Sequence, residues 1–173
     1  MKNIPLLAFA LLALTSCSVK NSNTAKDQQA DTTKTDTTTS SNAKVLVADM
    51  QIQDTLRSAD SLILTFTVRN HTAAPLRFCK WHTPFEPLMS KYLDIKDVNG
   101  VSTVDYRGAM AKRIMPPPES SYMTLQPADS AKVRVDLRKG YAITNPGKYS
   151  IKYEGEGISG LVVKDSVTFV YLP

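Results

Sequence analysis

Residues 44–173 predict an all-β domain, an antiparallel sandwich of seven to eight short strands. Three observations carry this expectation. Apolar residues recur with a period of two through most of the segment. Clusters of Pro, Gly and Asn interrupt the runs at short intervals. No stretch shows a helical stripe beyond a single turn near residues 138–142. About 130 residues suffice for one hydrophobic core, which buries around two-thirds of the unfolded chain's surface.

The strands can be justified in order. In SLILTFTVR, Leu62, Leu64, Phe66 and Val68 share one face, with Thr65, Thr67 and Arg69 on the other. In AKVRVDL, Ala131, Val133, Val135 and Leu137 alternate with Lys132, Arg134 and Asp136. In KYSIKY, Tyr149, Ile151 and Tyr153 alternate with Ser150 and Lys152, and in SVTFVY, Val167, Phe169 and Tyr171 form the inward set. Turn chemistry separates these runs at residues 70–75, at Asn99-Gly100, at 116–118 and at Asn145-Pro146-Gly147. The last turn feeds directly into Tyr149. A tyrosine opening a strand just after a Pro-Gly turn is the arrangement of an immunoglobulin-type tyrosine corner, whose hydroxyl closes a backbone group the corner leaves unpaired. The sandwich is therefore expected to be immunoglobulin-like.

Ahead of it lie two segments of different character. Lys2 followed by an apolar run over residues 4–14 reads as a secretory leader, too short for the roughly 20 residues of a bilayer span. It ends in Leu-Thr-Ser-Cys, residues 14–17, which resembles the lipobox of bacterial lipoproteins. The resemblance implies a signal peptide over 1–16 and a diacylglycerol and palmitate anchor on Cys17, so the membrane is a partner through that lipid. Ser18 stands where an aspartate would resemble an inner-membrane retention signal, so the expected location is the outer membrane, on either face. Residues 17–43 then read as the lipidated cysteine and a flexible Ser/Thr-rich tether. In 18–43 Val19 is the only large apolar residue, too little to offset the entropy of ordering. As a coil this tether reaches about 28 Å, and fully extended roughly 90 Å.

Composition removes several function classes. With Cys17 lipidated, Cys79 is the one remaining thiol of two, so no intramolecular disulfide forms and the fold rests on its core. Loss of Lys2 takes the basic residues from 21 to 20 against 16 acidic, a mild and dispersed excess that suggests no nucleic-acid partner. There is no G-x-S-x-G or H-E-x-x-H, and two histidines are the whole supply of imidazole bases. No enzymatic activity and no cofactor are expected. Residues 155–160 spell G-x-G-x-x-G, but the following LVVKDSVTFVY is a strand-like run, so a hairpin loop is expected. The row Lys132, Arg134, Arg138, Lys139 reads as a solvated face, or else as a docking surface for an acidic partner or a lipid headgroup.

Two other patterns have chemical content. Cys79 and His82 have C-x-x-H spacing, but a closed metal site needs about four ligands, so His71 and a distant carboxylate would have to converge with them. Met50, Met89, Met110, Met115 and Met123 could suit copper(I), though in an all-β domain they are expected to pack. Six of twelve aspartates are followed by Ser or Thr and then a small or apolar residue or Thr, where ordinary composition gives about one such match. This pattern resembles an O-glycosylation sequon of some Gram-negative lineages, with Thr32, Thr37, Thr55, Ser61, Ser130 and Ser166 as acceptors. The competing reading is that Asp-Ser/Thr pairs open turns before strands.

The stretch RFCKWHTPFEPL, residues 77–88, is the densest in chemistry. It reads as a shaped connection whose aromatics pack and whose Pro84 and Pro87 stiffen the turn. Cys79 is expected to be a small buried hydrophobe. Glu86 is expected to pair with Arg113, leaving Trp81, His82, Phe85, Glu86 and Arg113 as the candidate protein-binding surface.

The order of blocks from residue 62 on is similar to the non-catalytic N-terminal β-domain of deuterolysin-type peptidyl-lysine metalloendopeptidases. Thr83-Pro84-Phe85-Glu86, the segment 106–113, and Val135-Asp136-Leu137 with Tyr141 and Gly147-Lys148-Tyr149 carry this resemblance, over roughly residues 44–155. Those peptidases carry a following zinc domain, which this chain ends without, so no catalytic residue transfers. The resemblance implies a protein-binding module whose partner is a protease, with inhibition as the sharper form. Two alternatives stand beside it: a structural or assembly lipoprotein of an envelope complex, and a metal-handling lipoprotein using Cys79 and His82.

Overall fold

The computed structural model describes residues 46–99 and 102–173. The expected signal peptide, Cys17, the tether and the acceptors Thr32 and Thr37 lie outside the described residues.

Nine strands form among the described residues. They are β1 (Val47–Gln51), β2 (Thr55–Arg57), β3 (Ile63–Arg69), β4 (Leu76–Cys79), β5 (Leu93–Asp97), β6 (Tyr122–Leu125), β7 (Ser130–Asp136), β8 (Gly147–Tyr153) and β9 (Val167–Leu172). One sheet has the order β1-β3-β7, a second β2-β9-β8-β5, and β4 and β6 make a separate ribbon. The all-β, multi-sheet class is the one the alternating runs imply. Two details differ from the expectation of seven or eight antiparallel strands. The chain leaves the first sheet after Gln51 and joins the second at Thr55, so one strand becomes two. The second of these, β2, runs parallel to β9. A three-residue strand with one inward side chain, Leu56, has no alternation to read.

The register shows why the alternating runs form one core. Leu64, Phe66 and Val68 of β3 stand opposite Val135, Val133 and Ala131 of β7, while Met50 and Ala48 of β1 flank Phe66 and Val68 on the other side. In the second sheet Leu93 faces Tyr153, Ile95 faces Ile151, and Tyr149 faces Phe169. Except for Ala131 and Val133, which pack against it half-buried, these side chains belong to one buried cluster, in which Leu64, Phe66, Val68, Ile95 and Ile151 are wholly shielded. Each buried aliphatic or aromatic side chain contributes about 1.5–3 kcal/mol. Thr67, expected outward, is buried as well; it is the middle of the central strand, flanked in register by Asp49 and Lys132.

The tyrosine corner is present. Tyr149 Oη donates to the Asn145 carbonyl at 2.6 Å, four residues upstream. Tyr149→Phe removes this one bond and leaves the ring's packing on Phe169 in place, the two ring centroids lying 5.4 Å apart. A loss of about 1 kcal/mol is expected, read as a lower urea midpoint at unchanged m-value.

The G-x-G-x-x-G segment lies in the connection between β8 and β9, which pair antiparallel. It is a hairpin connection, as expected, but it also holds one helical turn, α1 (Glu156–Ser159), closed by Gly160 in the left-handed region. Short 3-10 turns occupy Glu119–Ser121 and Leu137–Lys139, the latter in place of the turn expected near 138–142. Lys132, Arg134, Arg138 and Lys139 are exposed, and Arg138 donates to the Ser58 carbonyl at 2.8 Å.

Candidate functional site

The connection between β4 and β5, residues 80–92, is irregular and yet tied down at almost every step. The β4–β6 ribbon delivers it: Lys80 N donates to the Ser121 carbonyl at 2.8 Å. Thr83, wholly buried, acts as an internal brace. Its Oγ1 donates to the Lys80 carbonyl at 2.6 Å and accepts from Phe85 N at 3.1 Å, while Glu86 N donates to the Thr83 carbonyl at 3.1 Å. This local bonding is what Thr does well in turns. His82 sits at φ 58, in the left-handed region, and its carbonyl points at the second sheet. There Tyr153 Oη donates to it at 2.9 Å. The Ser159 hydroxyl donates to Tyr153 Oη at 2.7 Å and accepts from Leu161 N at 3.0 Å. A buried chain of polar groups thus joins the loop to β8 and α1, with each member satisfied.

The five candidate residues divide into two packed rings, Phe85 and the buried Trp81, and three half-buried polar side chains, His82, Glu86 and Arg113. Phe85 turns inward, its ring 5.3 Å from Phe78 and 6.3 Å edge-on from Phe66, so it fastens the loop and does not present itself for recognition. Trp81 lies flat beneath Arg113, whose guanidinium is 4.6 Å from the indole centroid, and Arg113 pairs with Glu86 as expected. The result is a carboxylate–guanidinium–indole stack in which the Arg113 and Glu86 side chains keep 22% and 18% of their exposure. Arg113 Nε, buried and without a partner, leaves one donor in hand. The segment that carries Arg113 is laced to the loop. Tyr106 Oη donates toward the Leu88 carbonyl at 2.5 Å, with the Ala109 carbonyl at 2.9 Å, and Ala111 N donates to the Met89 carbonyl at 2.9 Å.

Burial lowers the His82 pKa, and the Arg113 charge lowers it further, against a smaller raising effect of Glu86. The folded state therefore refuses a proton that the unfolded chain accepts below about pH 6.5. This contribution is fully present above that pH and is lost as pH falls through the folded pKa. Stability followed by urea midpoint from about pH 7.5 to about pH 5 is expected to decline more in the wild type than in His82→Asn. Asparagine does not titrate and tolerates the left-handed backbone.

Small-molecule chemistry has little room here. The cleft beside the stack, lined by Lys80, Trp81, Phe85, Glu86, Pro87 and Ser121, holds about 210 Å3, below the roughly 300–1,000 Å3 of ligand pockets. A wider polar cleft of about 550 Å3 lies elsewhere, among Gln51, Gln53, Asp60, Ser61, Thr65 and Arg134.

Cys79 is a buried member of β4. Among the described residues no three His, Cys, Asp or Glu side chains gather as a metal site. The convergence of His71 and a carboxylate on Cys79 and His82 does not form.

The methionines correct the packing expectation. Met50 and Met123 do pack, but Met89, Met110 and Met115 are 38%, 72% and 60% exposed, and Ile114 is 81% exposed. Sequence reasoning missed this group, because the segment carrying three of the four has no periodicity from which a face could be assigned.

The remaining candidate acceptors, Thr55, Ser61, Ser130 and Ser166, are all exposed. Thr55 opens β2 and Ser130 opens β7, while Asp60 and Asp129 accept from the amides of Arg57 and Gln126. Turn formation thus accounts for Asp60-Ser61 and Asp129-Ser130 without any modification.

Comparison with known proteins follows the fold. A family profile for an immunoglobulin-like domain matches residues 49–159, a span that contains the whole braced loop and Arg113. The chain is also similar to an extracellular protease of Aeromonas hydrophila, 30% identical over 99 residues. The match covers 56% of this chain and 27% of that protein, so the chain spans little more than a quarter of the protease's length.

Proposed function

This chain belongs to the immunoglobulin-like domain family, and from that membership we propose that it serves as a non-catalytic protein-binding module, held at the outer membrane by a lipidated Cys17. The observation that carries the reading is the braced loop with its Trp81–Arg113–Glu86 stack. An irregular surface loop braced from below through Thr83 and the His82 carbonyl loses little entropy on binding, and Arg, held here over the buried Trp81 ring, is among the side chains most often decisive in interfaces. The partner we favour is a protease. The similarity to part of an extracellular protease supports this, as does the resemblance to the accessory domain of peptidyl-lysine metalloendopeptidases. Inhibition is the strongest form of the idea.

The test uses the lipidated protein in detergent. Incubated with a secreted peptidyl-lysine metalloendopeptidase, it is expected to form a stoichiometric complex that weakens at least tenfold in Trp81→Ala and Arg113→Ala. No complex at micromolar concentration rejects a protease of this kind as partner, and unchanged turnover within a complex rejects inhibition alone. A crosslinking pulldown dominated by one envelope assembly would favour the assembly-lipoprotein reading instead. Cys17→Ser is expected to release the protein from membranes. Intact-mass measurement decides whether any acceptor hydroxyl carries a glycan.

A further inference from the structure

Four of the six large apolar side chains left exposed among the described residues, Met89, Met110, Ile114 and Met115, lie on two segments that touch. The bond from Ala111 N to the Met89 carbonyl holds those segments together at 2.9 Å, beside the Trp81–Arg113–Glu86 stack. We propose that this methionine–isoleucine ridge is the docking surface of the domain, and that it takes a protein segment with apolar anchors flanked by Asp or Glu. The proposal rests on the binding reading above and specifies the surface and the chemistry of its partner.

The ridge has the composition of an interface. Met is flexible and polarizable and recurs at binding surfaces, and Met and Arg are enriched in interfaces where other charged residues are depleted. Its charge points to an acidic partner. Lys91, Arg107 and Lys112 are exposed on the same two segments and form no ion pair among the described residues. Against them stand Asp105, at the far end of the segment, and Glu86, already occupied by Arg113. Opposite charge steers encounter and fixes register.

Two other occupants fit less well. A second copy would bring like charges together across a two-fold axis. A lipid surface favours an amphipathic helix, whose backbone is bonded internally, whereas residues 107–114 are irregular chain.

The experiment pans a displayed library of random peptides against the full chain in detergent. Binders are expected to carry Asp or Glu around aliphatic or aromatic anchors. Their affinity is expected to drop at least tenfold for Met110→Ser/Ile114→Ser, and severalfold for Lys112→Glu or on raising salt. All three side chains are exposed, so the variants should melt like the wild type. Binders without acidic enrichment overturn the proposal, as does a library that yields none. Peptides held equally by wild type and double variant also overturn it, while leaving the binding reading intact. Binding to anionic phosphatidylglycerol vesicles that disappears in the double variant, or a dimer that dissociates in it, overturns it in favour of a membrane or a second copy. The pulldown and protease assay above decide the binding reading separately, since they use Trp81 and Arg113 variants with the ridge unchanged.

Discussion

Phe66→Ala is expected to lower stability by about 3–5 kcal/mol. That is a large share of the roughly 5–15 kcal/mol that keeps a domain folded. Phe66 is wholly buried at the middle of β3, with Met50 on one side in register and Val133 on the other. Its ring reaches Tyr153 of the opposite sheet at 5.4 Å and Phe85 of the candidate loop at 6.3 Å. Truncation therefore opens a cavity where the two sheets and the loop meet, and the rigid strand pairing on both sides of β3 leaves it little room to collapse. Urea unfolding measures the loss. A value below about 2 kcal/mol would show that the neighbouring rings relax into the space, contrary to the packing described. Phe85→Ala, by comparison, removes a half-buried ring. It should cost less stability while loosening the loop, seen as a shift in the emission of the single tryptophan, Trp81.

What the sequence revealed, and what it hid, follows from the range of the interactions involved. The runs 62–68, 131–137, 149–153 and 167–171 were legible because half-buried strands write their inward face as alternation. The tyrosine corner was legible because its parts, Asn145 and Tyr149, are four residues apart. The pairing of Glu86 with Arg113 joins residues 27 apart, and complementary charge within ordered family-like blocks was enough to suggest it. The crossover of the chain from β1 to β2 and the parallel pairing with β9 had no local signature. The exposed ridge was hidden for the same reason. Methionine is apolar, and only the irregular path of residues 107–118 decides that Met110 and Met115 face solvent. The immunoglobulin-like class and the likeness to part of an extracellular protease were both within reach of the sequence, because each is carried by the order of several blocks.

Gly155→Ala is the second large effect, and it separates two readings of the G-x-G-x-x-G segment. A Cβ at Gly155 would lie 2.1 Å from the His82 carbonyl oxygen and 2.5 Å from Tyr153 Oη. Neither can yield cheaply, because the two are bonded to each other and Tyr153 is held in the core. The backbone at Gly155, φ −88, is open to any residue, so the penalty is purely one of space. Overpacking of this kind costs about 1–3 kcal/mol and occasionally more, and the upper part of that range is expected here. The other two glycines are internal controls. Gly157 has nothing within 4 Å of a new Cβ and lies inside the helical turn, so alanine should be neutral or stabilising by up to about 1 kcal/mol. Gly160 has φ 73, where alanine should cost about 1 kcal/mol. If the segment cradled a phosphate, all three substitutions would weaken nucleotide binding and their stability costs would not follow this order. As a device for seating the candidate loop, it predicts a strict ranking of 155 above 160 above 157. It also predicts that Gly155→Ala alone disturbs Trp81 fluorescence, because the clash pushes on His82, the residue next to it. A Gly155→Ala variant as stable as the wild type, with unchanged emission, would mean that the loop is not fastened to the second sheet through His82, and the preorganised surface proposed for binding would lose its foundation.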